Sequence, residues 1–438
     1  MSGFEIGVAM FAGVLALIAL RMPVGIAMLL VGGLGYAAIA GWMPLLATLR
    51  SMPFSKFSAY TLSVIPLFLL MGDFATRGGL NRALFAAARA WLGHRRGGLG
   101  LATIGGCAAF GAICGSSLAT AATMSQVALP EMRRHGYSPA LATGTLAAGG
   151  TLGILIPPSV ILVIYAIYTE QSIGVLFIAA VVPGVLATLC YMAVVNIHAR
   201  LVPGAAPPAE RMAWRLRWRP TLEVWPVILV FVLVVTGMYA GWFSPTEGAA
   251  IGAAATGVLA VALGGMRWAG LRDSLLSTAE TTGLIFLMLL GAELFSAALA
   301  LSRVPAELSA AIAGMDVPPL AILAAILLIY FLLGCFMESM AMVLLTLPIF
   351  IPLMLALDFG LSQQQVLVWF GILVLVSVEV GMISPPFGLN LFVINAMAKD
   401  VPMGQTYRGV AGFVVSDILR IAVLVIAPAI SLWLPGLW

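Results

Sequence analysis

Two proline pairs, each inside a long apolar run, constrain this chain more than any other feature. The first lies in GILIPPS, residues 153–159, and the second in GMISPPFG, residues 381–388. Proline has no N–H and its ring clashes with the preceding turn, so each pair interrupts a helix and leaves carbonyls unpaired. In a membrane such backbone is tolerated only where it is buried in protein or lines a wet cavity. Two interrupted helices in corresponding places of two halves indicate a transporter with its site between them.

The composition places these runs in a membrane. The chain has 438 residues, of which 62% are hydrophobic and 9% are charged, and its mean hydropathy is +1.11. A soluble domain carries roughly 25% charged residues, so we expect an all-α polytopic membrane protein. The formal net charge of +4 does not indicate nucleic-acid binding, because the arginines fall in loops. The N-terminus lacks the features of a cleaved signal peptide, so we expect the first apolar segment to be retained.

The apolar pattern predicts ten membrane crossings of about 20 residues each, together with two hairpins that enter and leave on the same side. With this topology 17 of the 21 lysines and arginines fall on one face, which is then the cytoplasmic face. Both termini, and also Glu170, Glu247, Glu307 and Asp316, are expected on the periplasmic side. The predicted crossings are 5–20, 24–40, 59–75, 140–168, 173–195, 222–241, 247–265, 279–300, 366–397 and 410–434, and the predicted hairpins are 99–130 and 319–354.

The two halves match after a shift along the sequence. The shift that places Ser117 on Ser339 aligns the two hairpins, and a slightly longer shift places the first proline pair on the second. One hairpin is expected to open from the cytoplasm and the other from outside, so the repeats are inverted. Inverted repeats supply alternating access, since each half can adopt the conformation of the other. The expected domains are N-terminal scaffold helices at 1–58, a first inverted repeat at 59–197, a basic cytoplasmic linker at 198–220, further scaffold helices at 221–278 and a second inverted repeat at 279–438.

The hairpin tips carry small and hydroxylated residues. The first turns at residues 114–117, Cys-Gly-Ser-Ser, and the second at residues 336–339, Phe-Met-Glu-Ser. Serine hydroxyls and freed carbonyls are hard oxygen donors that suit an alkali cation. Helix N-termini favour anions, and helix C-termini favour cations. The pattern therefore predicts an anionic substrate that travels with a cation, and it gives no indication of an organic cofactor.

These motifs resemble the large membrane subunit of the TRAP transporters (tripartite ATP-independent periplasmic transporters), over essentially the whole chain. The resemblance implies a sodium-coupled elevator in the bacterial inner membrane, in which the hairpins and broken spans move together. It also implies two protein partners, a small four-helix membrane subunit and a periplasmic substrate-binding protein, besides membrane lipid. The length fits a free-standing large subunit. The matching motifs are Pro66–Phe68, Gly106–Ser117, Pro130–Met132, Gly136–Tyr137, Pro157–Ser159, Pro183–Gly184, Leu345–Pro348, Glu379–Gly381, Pro385–Pro386 and Gly388–Phe392.

The resemblance further implies positions for two sodium sites and a substrate site. Cys114 stands where the family commonly has serine, and Ser384 stands where it commonly has threonine. Both differences are harmless if only backbone carbonyls bind the sodium ion. If a hydroxyl is needed at residue 114, sodium site 1 is weakened. Sodium site 1 is expected at Cys114, Ser117, Gly153, Ile156 and Pro158, and sodium site 2 at Phe336, Ser339, Gly381, Ser384 and Pro386. The substrate is expected to contact Ser116, Ser117, Pro157, Glu338, Ser339, Pro385 and Asn390.

Several alternatives remain open from sequence. Glu338 and Glu379 either contact substrate or make structural hydrogen bonds, and the proline pairs could be simple kinks in a bundle. Within transport, the alternative is a sodium- or proton-coupled carboxylate symporter that works without a binding protein. An enzyme is disfavoured because H-E-x-x-H, G-x-S-x-G and G-K-[ST] motifs do not occur. The expected substrate is an organic acid of the dicarboxylate, sialic acid, keto acid or sugar acid type.

Overall fold

The computed structural model describes residues 2–314 and 317–437, and within these residues it contains helices but no strand. The predicted all-α class is confirmed for this part of the chain. Asp316, which we expected on the periplasmic side, lies outside the described residues. Among the described helices, seven are long and apolar enough to cross a membrane, or up to nine if each of two bent pairs is one span.

The helices follow one another with short connections. The first half contains α1 (Gly3–Ala19), α2 (Val24–Ala40), α3 (Trp42–Phe57), α4 (Val64–Arg77), α5 (Leu80–Leu92), α6 (Gly98–Cys114), α7 (Ser117–Arg134), α8 (Pro139–Leu155), α9 (Val160–Thr169), α10 (Ile173–Leu201) and α11 (Trp214–Leu222). The second half contains α12 (Trp225–Tyr239), α13 (Pro245–Ala262), α14 (Trp268–Ser302), α15 (Val304–Ala313), α16 (Pro319–Gly334), α17 (Ser339–Ala356), α18 (Gln363–Met382), α19 (Leu389–Met397), α20 (Met403–Ile426) and α21 (Ala429–Leu432).

Both proline pairs interrupt helices where the sequence predicts. The first separates α8 from α9, and the second separates α18 from α19; both Pro–Pro bonds are cis. After the first break the Ser159 hydroxyl accepts the Leu162 N–H at 3.5 Å and so caps α9. After the second break Gly388 adopts a φ of +61°, a left-handed conformation that glycine reaches without steric cost.

Each predicted hairpin is a pair of consecutive helices with a short tip. Gly115, with a φ of +64°, ends α6, and the Ser116 hydroxyl caps α7 by accepting the Ala119 N–H at 3.4 Å. In the second hairpin the cap of α17 is Glu338, whose carboxylate accepts two backbone N–H groups. The shift that aligns the hairpins places Ser116 on Glu338, so the two tips use equivalent positions with different charge.

Several helices differ from the sequence-based prediction, among them α15, which lies where no element was predicted. We assigned no element to residues 42–57, where α3 lies; its sequence carries Arg50 and Lys56 and is too short and polar to predict a span. The linker contains α11, which lies on α5 through a hydrogen bond of 2.8 Å from Trp91 Nε1 to Thr221 Oγ1. The predicted span 279–300 is the second part of a 35-residue helix, α14. These helical segments are stabilised by tertiary contacts, and their apolar periodicity alone did not predict them.

The broken spans occupy the centre of the protein. Every residue of α8 from Leu141 to Leu155 is buried, and so is every residue of α18 from Val366 to Met382. The helices α2, α12 and α20 instead expose large apolar side chains, such as Leu34, Ile228 and Leu419. An exposed apolar face suits lipid. The first break lies within protein, as irregular backbone at membrane depth requires, whereas Pro385 and Pro386 of the second break are exposed.

Candidate functional site

The tip of the first hairpin packs directly on the first helix break. A Cβ added to Gly153 would lie 2.8 Å from the Ser116 carbonyl oxygen and 2.5 Å from Thr120 Oγ1. A Cβ added to Gly115 would lie 3.0 Å from the Pro158 carbonyl oxygen. Glycine at both positions therefore permits an approach that any side chain would prevent. This contact brings together the hairpin-tip and helix-break segments in which we expected sodium site 1.

Thr120 adds to this contact a side-chain oxygen that was not among the predicted site residues. Its side chain is fully buried and lies near the Cys114 thiol, but Oγ1 makes no hydrogen bond of good geometry. Buried hydroxyls normally have a partner. A hydroxyl without one, beside the Ser116 carbonyl, fits the hard oxygen donor set of an alkali cation. Because α7 begins at Ser117, helical spacing directs Thr120 back towards the tip.

The second hairpin and second break meet in a similar way. A Cβ on Gly381 would lie 2.6 Å from the Gly334 Cα, and the Gly388 N–H donates to the Cys335 carbonyl at 3.3 Å. The rings of Phe336 and Phe387 lie 5.2 Å apart and cover the outside of this contact. The Ser384 hydroxyl, which we expected at sodium site 2, donates to the Val380 carbonyl at 2.6 Å.

Met382 joins the two halves. The Ser117 hydroxyl lies 3.4 Å from the Met382 Sδ atom, and the Ser339 hydroxyl lies 3.5 Å from the same atom. Both hydroxyls are therefore within reach of one small molecule. The shift that superposes the proline pairs places Ile154 on Met382. The equivalent residue of the first half therefore has no sulfur atom, and the two repeats differ at this position. Met382 could not be predicted from the sequence, because a methionine in an apolar helix carries no distinguishing signal.

The two tips line one cavity of about 450 Å³. The tips and the starts of α7, α9 and α17 form one wall, and α2 and α14 form the other. Of the predicted substrate residues, Ser116, Ser117, Glu338 and Ser339 line this cavity, whereas Pro157, Pro385 and Asn390 do not. Its lining is Pro23, Val24, Gly25, Leu69, Gly115, Ser116, Ser117, Leu118, Ile154, Val160, Ile161, Thr281, Leu284, Ile285, Leu287, Met288, Glu338, Ser339, Met340 and Ala341.

Asn390 and Pro385 lie elsewhere. Asn390 is fully buried, and its Nδ2 donates to the Ala147 carbonyl of α8 at 3.2 Å. Pro385 is exposed and Pro157 is buried. Asn390 thus ties the second broken span to the first.

Two smaller cavities are, like the main one, lined in part by residues of α14. A cavity of about 280 Å³ shares Leu69, Ser116, Leu118 and Thr281 with it and extends to Asp73. Asp73 pairs with Arg77 at 2.9 Å, and we expect this arginine on the cytoplasmic face. A third cavity, of about 350 Å³, contains Lys56, Glu293, Tyr168 and Ser296. In it Lys56 pairs with Glu293 at 2.9 Å, and the Tyr168 and Ser296 hydroxyls lie 2.9 Å apart.

The Glu338 carboxylate is held by the start of its own helix. Oε2 accepts the N–H groups of Met340 and Ala341 at 3.0 and 3.2 Å, and Oε1 lies 3.4 Å from the Ser339 hydroxyl. The residue is half-buried and also lines the cavity. Glu338 therefore makes structural hydrogen bonds and faces the cavity at once, so the two interpretations of this residue are compatible.

Glu379 lies away from the cavity in a buried ion cluster. Arg420 Nη2 lies 2.8 Å from Glu379 Oε2 and 2.9 Å from Asp417 Oδ1, and all three side chains are fully buried. Tyr191 donates to Asp417 Oδ2 at 2.7 Å and lies 3.2 Å from the Thr151 hydroxyl. The cluster links α8, α10, α18 and α20. The sequence signal for it was Arg420, a basic residue within a predicted span, but the sequence did not indicate its partners.

Among the described residues, no group of three or more His, Cys, Asp or Glu side chains could hold a metal ion. The oxygen atoms near the two tips are instead carbonyls and hydroxyls, apart from the carboxylates of Glu338 and of Asp73, which lines the cavity beside the first tip. This donor chemistry suits an alkali cation rather than a transition metal, which prefers nitrogen or sulfur ligands.

A family model and individual known proteins place this chain in the same family. Residues 11–430 match the family described as "Tripartite ATP-independent periplasmic transporter, DctM component". The chain is 36% identical to the C4-dicarboxylate TRAP transporter large permease protein DctM of Pseudomonas aeruginosa, over 89% of this chain and 90% of that protein. It is 30% identical to the ectoine TRAP transporter large permease protein TeaC of Halomonas elongata, over 98% of each chain.

A solved structure supports the fold alone. The YdaH transporter of Alcanivorax borkumensis aligns with a TM-score of 0.57 over 91% of this chain and 89% of that one, at 16% identity. At this identity the likeness concerns the arrangement of helices and carries no information about substrate.

Proposed function

The chain belongs to the DctM family of tripartite ATP-independent periplasmic transporters, and we propose that it takes up an organic acid together with sodium ions across the bacterial inner membrane. In this proposal the substrate occupies the cavity between the two hairpin tips. The observation that carries it is the meeting of both tips at one cavity, with Ser117 and Ser339 on the same sulfur atom. The relatives are permeases for C4-dicarboxylates and for ectoine, which supports a small carboxylate as the substrate class.

The sodium ions bind where each tip meets its helix break. At the first contact the donors are the carbonyls of residues 114–117 and 153–158 and the Thr120 hydroxyl, which has no other partner of good geometry. At the second contact they are the carbonyls around residues 336–339 and 381–386. A cation at either position fixes its tip against its break. The fixed tips then present the starts of α7 and α17 to the substrate, which couples substrate binding to sodium.

Alternating access follows if the hairpins and broken spans move together against a scaffold that includes α2 and α14. The main cavity lies along this boundary, since one wall comes from each side. The hydrogen bond between Tyr168 of α9 and Ser296 of α14 crosses the same boundary. Its length of 2.9 Å is that of an ordinary hydrogen bond, so a modest movement suffices to break it.

The family implies two partners, a small membrane subunit and a periplasmic binding protein that delivers the substrate. The test is uptake into proteoliposomes that contain the large and small subunits, with and without a loaded binding protein and an inward sodium gradient. Uptake that needs both sodium and the loaded binding protein is the expected result. Uptake of free substrate without the binding protein would favour a self-sufficient symporter. Uptake driven by a proton gradient alone would refute sodium coupling.

A further inference from the structure

The main cavity contains a negative charge but no positive one. Of its described lining residues, Glu338 is charged, and none is lysine, arginine or histidine. The adjoining cavity of about 280 Å³ adds Asp73, whose carboxylate is already paired with Arg77. A site that binds a dicarboxylate usually contains arginine, whose planar fork matches a carboxylate. The side chains that line this cavity therefore supply no positive charge to match a doubly negative ligand.

A dianion that spans the two tips must place one of its carboxylates near the Glu338 carboxylate. Glu338 Oε1 lies 3.4 Å from the Ser339 hydroxyl, and this hydroxyl shares the Met382 sulfur with Ser117 of the other tip. A molecule that spans the two tips therefore places one end near the carboxylate. The N–H groups of Met340 and Ala341, which could otherwise receive an anion, already bind Glu338.

The first tip offers a different environment. Its helix is capped by the neutral Ser116, and Gly115, Ser116, Ser117 and Leu118 face the cavity without a charge. The opposite wall is apolar and includes Leu284, Ile285, Leu287 and Met288 of α14. Such a site suits a compact aliphatic molecule with a carboxylate at one end only.

We propose that Glu338 is a specificity-determining residue that selects a zwitterion, with one carboxylate towards the first tip and a cationic nitrogen group towards Glu338, over a dicarboxylate. The attraction of an ammonium group to the carboxylate and the repulsion of a second carboxylate act in the same direction. This inference rests on the proposed function, since it assigns the charge of the substrate to the same cavity.

Two molecules of equal chain length test the charge directly. Succinate is a chain of four carbons whose two end carbons are carboxylates. The chain of 4-aminobutyrate also has four carbons, but one end carbon carries an ammonium group instead of being a carboxylate. Binding of each radiolabelled probe is measured in nanodiscs that contain the large and small subunits, with and without sodium. We expect 4-aminobutyrate to bind at least about tenfold more tightly than succinate.

Two variants identify the residue responsible. Glu338→Gln keeps an acceptor oxygen for the N–H groups of α17, so the tip should fold, and we expect the preference for 4-aminobutyrate to fall at least about tenfold. Asp358→Asn removes the same charge from an exposed position where the carboxylate accepts only the local Gly360 N–H, and we expect it to leave the preference unchanged.

The outcomes separate this inference from the proposed function. Sodium-dependent binding that favours succinate in the wild type overturns the zwitterion preference but leaves sodium-coupled transport intact. An unchanged preference in a folded Glu338→Gln protein overturns the role of Glu338. Failure of 4-aminobutyrate to bind at all also counts against the inference. Binding of both probes that does not depend on sodium refutes the coupling instead, whatever the ratio.

Discussion

The buried cluster of Glu379, Asp417 and Arg420 should stabilise the transporter strongly, and replacing Arg420 with methionine tests this. Arg420 Nη2 holds both carboxylates, at 2.8 and 2.9 Å, and none of the three side chains is exposed. Removing one partner of a buried ion pair costs about 3–5 kcal/mol, because the remaining charge stays buried without compensation. Arg420→Met leaves two such carboxylates, so we expect the upper part of this range.

Thermal unfolding in a fixed detergent gives the readout. Such unfolding is commonly irreversible, so the apparent midpoint at one scan rate is compared between variants. At about 2–4 °C per kcal/mol for a chain of 150–250 residues, and less for a longer one, the expected decrease is roughly 5–15 °C. Arg77→Met is the matched control. The Arg77–Asp73 pair is partly exposed, and pairs of this kind contribute about 0–1 kcal/mol.

A triple variant distinguishes the ion pairs from simple packing. Glu379→Met, Asp417→Leu and Arg420→Met together remove all three charges with side chains of similar volume. Replacing a whole buried cluster in this way is often neutral or stabilising by about 1–4 kcal/mol, so the triple variant should be more stable than Arg420→Met alone. An Arg420→Met protein with the wild-type midpoint, or a triple variant less stable than the single one, would refute the reasoning.

Further substitutions test the packing at the first helix break and the hydrogen bonding of the buried ion cluster. Gly153→Ala places a Cβ 2.5 Å from Thr120 Oγ1 and 2.8 Å from the Ser116 carbonyl oxygen. Overpacking of this kind costs about 1–3 kcal/mol. Because it pushes the first tip away from the first break, uptake in proteoliposomes should be lost. Gly283→Ala is the control, because no atom lies within 4 Å of its new Cβ, and it should retain uptake. Equal uptake by the Gly153→Ala and Gly283→Ala proteins would contradict the close packing at Gly153. Tyr191→Phe removes the 2.7 Å hydrogen bond to Asp417, which is worth about 1.5–3 kcal/mol. It should therefore lower the apparent midpoint in the same thermal unfolding assay, and an unchanged midpoint would exclude a stabilising role for this hydroxyl.

The sequence predicts the helix breaks and the turns at residues 114–117 and 336–339 well because their causes are local. A proline pair ends a helix wherever it occurs, and Gly115 and Ser116 end one helix and begin the next by their own conformation and hydrogen bonds. The hydrophobic pattern then supplies the neighbouring spans. None of these signals depends on which other segment packs against the break.

The parts that the sequence did not predict depend on contacts between distant residues. Met382 approaches both Ser117 and Ser339 only because the two halves fold face to face. Similarly, Glu379 finds Arg420 across 41 residues of chain. The α14 wall of the cavity has an ordinary apolar sequence. Such partners require a tertiary structure, since residue type alone does not specify them.

The sodium concentration that gives half-maximal uptake in a Thr120→Val protein tests the central claim most directly. Valine keeps the volume of the side chain but removes the buried hydroxyl beside the first tip. Thr145→Val is the matched control, because Thr145 is also fully buried with an unpartnered hydroxyl, on α8, well before Gly153. If the tip and the break hold a sodium ion, Thr120→Val should raise the half-maximal sodium concentration about tenfold, the equivalent of one lost charge-assisted contact, while Thr145→Val leaves it unchanged. A folded Thr120→Val protein with the sodium dependence of the wild type would contradict a sodium site that uses this hydroxyl at the first tip.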